Sequence, residues 1–304
     1  MKKLETYFIR HPQKKISLDS KTRDRIWKER RVFIHFEWDK SGNRRADSRS
    51  KNPDDYEGSA KKAVSALSRL ALEGGYVCGH FDEHEEWMMG KVRPKSSIQL
   101  REGKWPKESE KPKKHDGICV IKTLRLHKVR LVSPEDYAVL QPAQPRQGTI
   151  MRWPGIGDTV EAIVERKKLR KSLGALCPNH QEVMCAEFLR LSDATQIGLP
   201  RLACVLRDIG RTMKDLDIVG VAQDGKQIFA QVTYGSFDSN DVQAKRNILE
   251  KFSGHNAHRI LFCKCEGLFF EKGIIIFPIE KVFDRFRKTK VGKNWFKYIF
   301  PKNY

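Results

Sequence analysis

Asp217 enters one short apolar run, LDIVGVA, and Gln231 stands near the end of the next, QIFAQVT. Between them lies QDGK, residues 223–226, whose Asp-Gly pair is a strong hairpin signal. Closing the hairpin there sets position 217 roughly opposite 231 to 233, so a carboxylate and an amide oxygen meet at neighbouring strand ends. With the Val232 backbone carbonyl beside them, these are the hard oxygen ligands that Mg²⁺ or Mn²⁺ prefers. A cation held there polarises a phosphate and lowers the pKa of an attacking water. Asp215 is the alternative ligand, because a step of one residue moves a side chain to the other face of a strand. Asp217 is preferred because it abuts the apolar run. The alternative for the whole group is a pair of solvated hairpin ends holding nothing.

Two helical segments flank this hairpin. In DVQAKRNILEKF the apolar residues Val242, Ile248, Leu249 and Phe252 define one stripe, and at about 100° per residue Lys245 falls near its middle. A lysine there must meet a carboxylate, a phosphate or water, or else snorkel to solvent from the first turn. In HQEVMCAEFLRL the face formed by Val183, Met184, Phe188 and Leu191 contains Glu187. An inward glutamate either pairs with an arginine, with Arg201, Arg207 and Arg211 at hand, or belongs to a metal site.

A glutamate on a helix, then Asp-Ile-x-Gly, a hairpin, Gln-x-Thr and a second helix resembles the PD-(D/E)XK nuclease superfamily, in particular its Mrr-like restriction endonuclease branch, over residues 175–280. The resemblance implies a metal-dependent DNA endonuclease, with Asp217 and Gln231 as metal ligands beside the Val232 carbonyl, Glu187 as the assisting acid and Mg²⁺ or Mn²⁺ as cofactor. It departs at Thr233, which stands where the family carries a lysine and cannot supply a positive charge to the phosphate. Some members carry the lysine on the following helix, which makes Lys245 the candidate for the missing charge.

The elements that must position these residues fall into two halves. Residues 1–30 read as a basic arm or first helix, RVFIHFEW (31–38) as a strand, and 39–58 as a long loop. GSAKKAVSALSRLALEGG (58–75) has helical spacing of Ala63, Leu67, Leu70 and Ala71 and ends at a glycine pair. YVCGHF, GICVIKTLRLHKVRLV and GTIMRWPGIGDTVEAIVERK read as strand-like pieces, and the lysine-rich segment 101–116 reads as a loop. Near residue 165 the pattern turns helical and lysine-rich. The order after it is helix 180–192, strands 202–208, 215–222 and 227–234, helix 241–253, and strands 258–265 and 273–279. The expected architecture is a β-rich α+β domain over 1–165, a nucleic-acid recognition or sensing module, and a restriction-endonuclease-like α/β domain over 166–304, a mixed sheet flanked by helices.

A balance of 59 Lys+Arg against 38 Asp+Glu gives a net charge of +21, which favours a polyanionic partner such as DNA, with RNA equally compatible. The tail from 281 interleaves Arg285, Arg287, Lys288, Lys290 and Lys293 with Phe, Trp and Tyr, a pattern that neutralises phosphates and stacks on bases; alternatively Phe283, Phe286, Trp295 and Phe300 are core. Trp38, Trp87, Trp105 and Trp153 either line a base-reading pocket or fill the β core. Seven scattered cysteines suit free thiols, and the weaker zinc candidates are Cys78 with His80 and His84, and Cys177 and His180 with Cys263 and Cys265. The longest apolar run, 273–279, is far short of a membrane span, so a cytoplasmic protein is expected. The full expectation is a nuclease of prokaryotic restriction or antiviral defence, acting as a homodimer or in a larger complex. Its alternatives are an inactive nuclease-fold DNA-binding or sensing module and an RNA-directed nuclease.

Overall fold

The computed structural model describes residues 3–11, 18–36, 49–105, 117–145, 148–206, 216–252, 254 and 256–300. It separates into two compact units that meet in sequence between Leu169 and Arg170. Mixed sheets flanked by helices build both.

The first unit contains β1 (Thr6–His11), α1 (Ser20–Lys28), β2 (Arg31–Ile34), α2 (Gly58–Glu73), β3 (Gly75–Phe81), β4 (Trp87–Val92), β5 (Gln99–Lys104), β6 (Ile118–Arg125), β7 (His127–Val132), α3 (Pro134–Ala138), β8 (Ile150–Arg152) and α4 (Gly157–Glu165). One sheet runs β7-β4-β3-β1-β8, with β1 and β3 parallel, and a second runs β2-β6-β5. Helix α2 buries Ala63, Val64, Leu67, Leu70 and Ala71, one stripe of its 3.6-residue period, in the core that Ile9, Val32 and Val77 also enter.

Three expectations fail in this unit. Residues 1–30 do hold a first helix, α1, but they also contain a buried strand that was not expected, because TYFIRH finds a parallel partner in β3, a pairing between distant segments with no local signal. Residues 101–104 are strand, not loop. Residues 157–165 are helix, not strand: Thr159, Val160, Ile163 and Val164 are β-branched, yet their i, i+1, i+4, i+5 spacing buries one helical face. Trp105 and Trp153 are buried, and Trp87 stacks on Tyr137 at 4.0 Å, so these three pack in the fold; Trp38 lies outside the described residues.

The second unit contains α5 (Pro178–Leu189), α6 (Ser192–Thr195), β9 (Leu202–Val205), β10 (Ile218–Ala222), β11 (Gln227–Ser236), α7 (Asn240–Glu250), β12 (Ala257–Lys264), β13 (Phe269–Glu271), β14 (Ile274–Pro278), α8 (Ile279–Phe286) and α9 (Lys290–Ile299). Its sheet has the order β13-β14-β12-β11-β10-β9. Strands β11, β12 and β14 are parallel, and α7 makes the crossover between the first two. The apolar runs LFC of β12 and IIIFP of β14 are buried throughout, as central parallel strands require. The run 166–180 turns helical only at Pro178, apart from a single 3-10 turn at Leu173–Ala175. Asp215, the alternative ligand, lies outside the described residues.

The hairpin forms as the Asp-Gly signal predicts. Gly225 takes φ 81°, a left-handed conformation that costs other residues about 1 kcal/mol, and the Asp224 carboxylate accepts the Lys226 amide. Ile218 pairs with Ala230, which sets Asp217 across from Gln231.

Candidate active site

Strand β10 begins at Ile218, one residue after Asp217, and the site grows from that ending. The Asp217 amide still donates to the Ala230 carbonyl at 3.1 Å. The next ladder bond is made by a side chain: the Val232 amide donates to Asp217 Oδ2 at 2.7 Å. The carboxylate is thereby fixed at the sheet's surface by the backbone of β11. Gln231, 2% exposed, brings its amide oxygen to the same place.

Lys245 completes the group. Ser239 caps α7 by accepting the Val242 amide, and the helix phase then buries Val242, Arg246 and Leu249 while aiming Lys245 at the hairpin. Its Nζ donates to Asp217 Oδ2 at 2.7 Å and to Gln231 Oε1 at 2.8 Å. The lysine does not snorkel; a cation already stands between the two oxygens read as metal ligands.

Glu187, expected as the assisting acid, makes none of these contacts. Its carboxylate lies 3.6 Å from Arg190 in an i, i+3 pair on the partly exposed side of α5. The arginine is none of those anticipated: Arg201 donates its Nε to the Arg190 carbonyl, and Arg207 and Arg211 lie outside the described residues. The helix instead offers Glu182. Burial pushes the Glu182 carboxyl up to about 7, the Asp217 charge adds to the rise, and Lys245 opposes it. The same two carboxylates reinforce the burial that raises the Cys185 thiol.

Sequence periodicity missed Glu182 because α5 is buried almost all round, with His180, Gln181, Met184, Cys185, Ala186, Phe188 and Leu189 covered. Five residues on a helix turn through roughly 500°, so Glu187 points about 140° away from Glu182. The available signal was the small pair Cys185 and Ala186 at i+3 and i+4 from Glu182, both fully buried.

Thr233, two residues after Gln231, has a different task. Its hydroxyl donates to Asp241 Oδ2 at 2.8 Å and accepts the Gly235 amide at 3.1 Å, tying the end of β11 to the first turn of α7.

Asp217, Gln231 and Glu182 present oxygen donors and an ionisable carboxyl, a set that fits a hard divalent cation; the Lys245 ammonium shows that the two nearer oxygens converge on one positive centre. Among the described residues no group of three or more His, Cys, Asp and Glu side chains is arranged to hold a metal ion. The candidate site escapes that description because one of its oxygens belongs to an amide. The two zinc candidates do not assemble: His80 stacks on Trp87, His84 on Trp27, His180 packs edge-on to Trp295, and the free Cys263 and Cys265 thiols share a hydrogen bond.

The tail folds as α8 and α9. Phe283, Phe286 and Phe300 are buried, so these rings are core rather than base-stacking platforms. Arg285, Arg287, Lys288, Lys290 and Lys293 lie on the outer side of these helices, with Arg287 paired to Asp284 at 3.0 Å. No helix among the described residues is long and apolar enough to cross a membrane.

No family model matches the chain, and no curated protein matches it. Among solved structures it is similar to a repair endonuclease from Pyrococcus abyssi, at 9% identity and a TM-score of 0.21, over 66% of this chain and 70% of that one. A superposition at that score assigns neither fold nor activity.

Proposed function

We propose that the second unit is a metal-dependent endonuclease that hydrolyses phosphodiester bonds in DNA. The observation that carries this reading is the convergence of the Lys245 ammonium on Asp217 and Gln231, with Glu182 close enough to feel both charges. An aspartate, a glutamine and a lysine so arranged, beside a helix-borne glutamate, have the make-up of a PD-(D/E)XK site of the Mrr-like kind, with its lysine moved onto the helix.

In this reading Asp217, Gln231 and the Val232 carbonyl hold Mg²⁺ or Mn²⁺, which supplies Lewis-acid stabilisation of the phosphate's charge. Glu182, with a carboxyl near neutrality, accepts the proton of the attacking water as its oxygen bonds to phosphorus and the P–O3′ bond breaks. The Lys245 ammonium faces the charge that builds on the phosphoryl oxygens. Arg285, Arg287, Lys288, Lys290 and Lys293 lie along a basic surface that neutralises backbone phosphates. The first unit serves recognition, and the whole acts in restriction or antiviral defence, as a homodimer or within a larger complex.

A second reading rests on the same contact. Lys245 satisfies the buried Gln231 amide and the Asp217 carboxylate without any other cation, as a nuclease fold retained for binding or sensing would arrange it. Incubating the protein with plasmid and with RNA in Mg²⁺ or Mn²⁺, beside Asp217→Ala and Glu182→Gln, separates the two. Metal-dependent cutting that both variants lose supports the enzyme. If the wild type cuts neither substrate and Asp217→Ala binds DNA equally well, the enzyme reading is wrong.

A further inference from the structure

A cleft of about 440 Å³ opens beside the hairpin turn, where the starts of β12 and β14 also lie. It is five strand residues from Asp217, on the order of 16 Å along β10, so it is separate from the candidate active site. Its volume is within the roughly 300–1,000 Å³ of small-molecule sites. Leu199, Pro200 and Ile275 give it apolar walls, and its polar groups are few and fixed.

The first fixed group is Arg201. Its Nε donates to the Arg190 carbonyl at 3.0 Å and its own carbonyl accepts the Gln223 amide at 2.9 Å, so one edge of the guanidinium and the backbone that carries it are both held where Arg201 lines the cleft. A guanidinium held this way offers paired donors to a phosphate. The second is Asp224, tied to His258 Nε2 at 2.8 Å and to the Lys226 amide at 3.1 Å. These bonds hold its carboxyl below the usual range, His258 contributing most, so it stays an acceptor at neutral pH.

The third is an aromatic ring at the rim. On the edge strand β13 the two-residue alternation sends Phe269 inward, edge-on to Phe237 at 5.1 Å, and leaves Phe270 67% exposed over the cleft, across the ladder from Ile275. An exposed ring beside an anchored guanidinium and a fixed carboxylate is the equipment for a ligand with a flat aromatic part, amino or imino donors and an anionic end. We propose that the cleft binds a nucleoside monophosphate unit, its base stacked on Phe270 with an edge toward Asp224, and its phosphate on Arg201. The unit comes either as a free mononucleotide or as the phosphorylated end of a strand.

The test is calorimetric titration of the full-length protein, in EDTA to keep the Asp217 site silent, with adenosine and uridine 5′-monophosphates, adenosine, inorganic phosphate and a 5′-phosphorylated hexanucleotide. Phe270→Ala is expected to weaken binding about 5- to 150-fold, the span of one base–aromatic stack. Arg201→Gln and Arg201→Lys should both weaken it, because the lysine keeps charge without the fork, and circular dichroism checks that each variant folds. Free monophosphate binding that responds to all three variants assigns the mononucleotide source. Binding of the hexanucleotide alone, with the same response, assigns the strand end. The proposal is overturned if none of these ligands binds at millimolar concentration, if binding ignores the variants, or if phosphate alone binds as tightly as the nucleotide. None of these results depends on cleavage, so failure here leaves the endonuclease reading where it stands.

Discussion

Replacing Lys245 by methionine should tighten divalent metal binding while slowing cutting, an opposite pair of effects that comes from where the ammonium sits. Nζ lies 2.7 Å from Asp217 Oδ2 and 2.8 Å from Gln231 Oε1, so an incoming cation must take both oxygens from it. Hydrogen bonds to charged groups contribute roughly 1.5–3 kcal/mol net. The Lys245 and Asp217 side chains are 22% and 18% exposed, and with solvent screening the two bonds together are set at about 2–3 kcal/mol. Removing that competition should lower the Kd for Mn²⁺ by about 30- to 150-fold, at about 1.4 kcal/mol per tenfold. Losing the ammonium's stabilisation of the phosphate should cost about 10²–10³ in cleavage rate. Calorimetric titration with Mn²⁺ at pH 8, beside a plasmid-cutting assay, reads both. The opened oxygens also leave Gln231 buried and without its lysine partner, a destabilisation of about 1–3 kcal/mol that a urea melt should register. Mn²⁺ affinity that is unchanged or weaker in Lys245→Met would refute the reasoning, because the lysine would then support the metal rather than exclude it.

Three further outcomes are expected from the same geometry. Glu182 has a carboxyl raised to about 7 from 4.5, so its contribution to stability is full below about 4.5 and is lost as pH rises through about 7. Urea unfolding in EDTA at pH 5 and pH 8 should show the wild type losing up to about 3 kcal/mol more than Glu182→Gln over that interval, and equal losses would contradict the assignment. Glu187→Ala should change stability by less than about 0.5 kcal/mol and cleavage by less than about twofold, since it breaks only a partly exposed i, i+3 pair; a large loss of cutting would return Glu187 to the site. Gly220→Ala should destabilise the second unit by about 1–3 kcal/mol in chemical denaturation, because its Cβ would meet Leu202 Cδ1 at 2.4 Å and the Cys204 carbonyl at 2.6 Å; a neutral result would mean that β9 is free to shift.

The legible part of the sequence was whatever short-range rules decide. The Asp-Gly turn set the hairpin and its register, and the register set Asp217 against Gln231. The stripe of α7 put Lys245 inward, and its partners were already in view. The same rule applied to α5 pointed to Glu187 and passed over Glu182, because a helix covered on nearly every side has no single apolar stripe to follow. Strand β1 was hidden for another reason: its partner lies some seventy residues on, Thr6 against Tyr76, and parallel pairing leaves no turn to announce it. The aromatic residues of the tail were ambiguous in composition, since core and base-stacking surfaces use the same side chains; only burial separated them.

The bond from the Val232 amide to Asp217 Oδ2 makes that one oxygen common to the sheet's ladder and to the Lys245 ammonium. Whatever replaces the ammonium therefore redraws the electron density that a β11 amide proton sees. Val232 is in this sense a built-in gauge: its ¹⁵N–¹H resonance should shift as the site fills, and would track a cation's arrival without substrate or turnover.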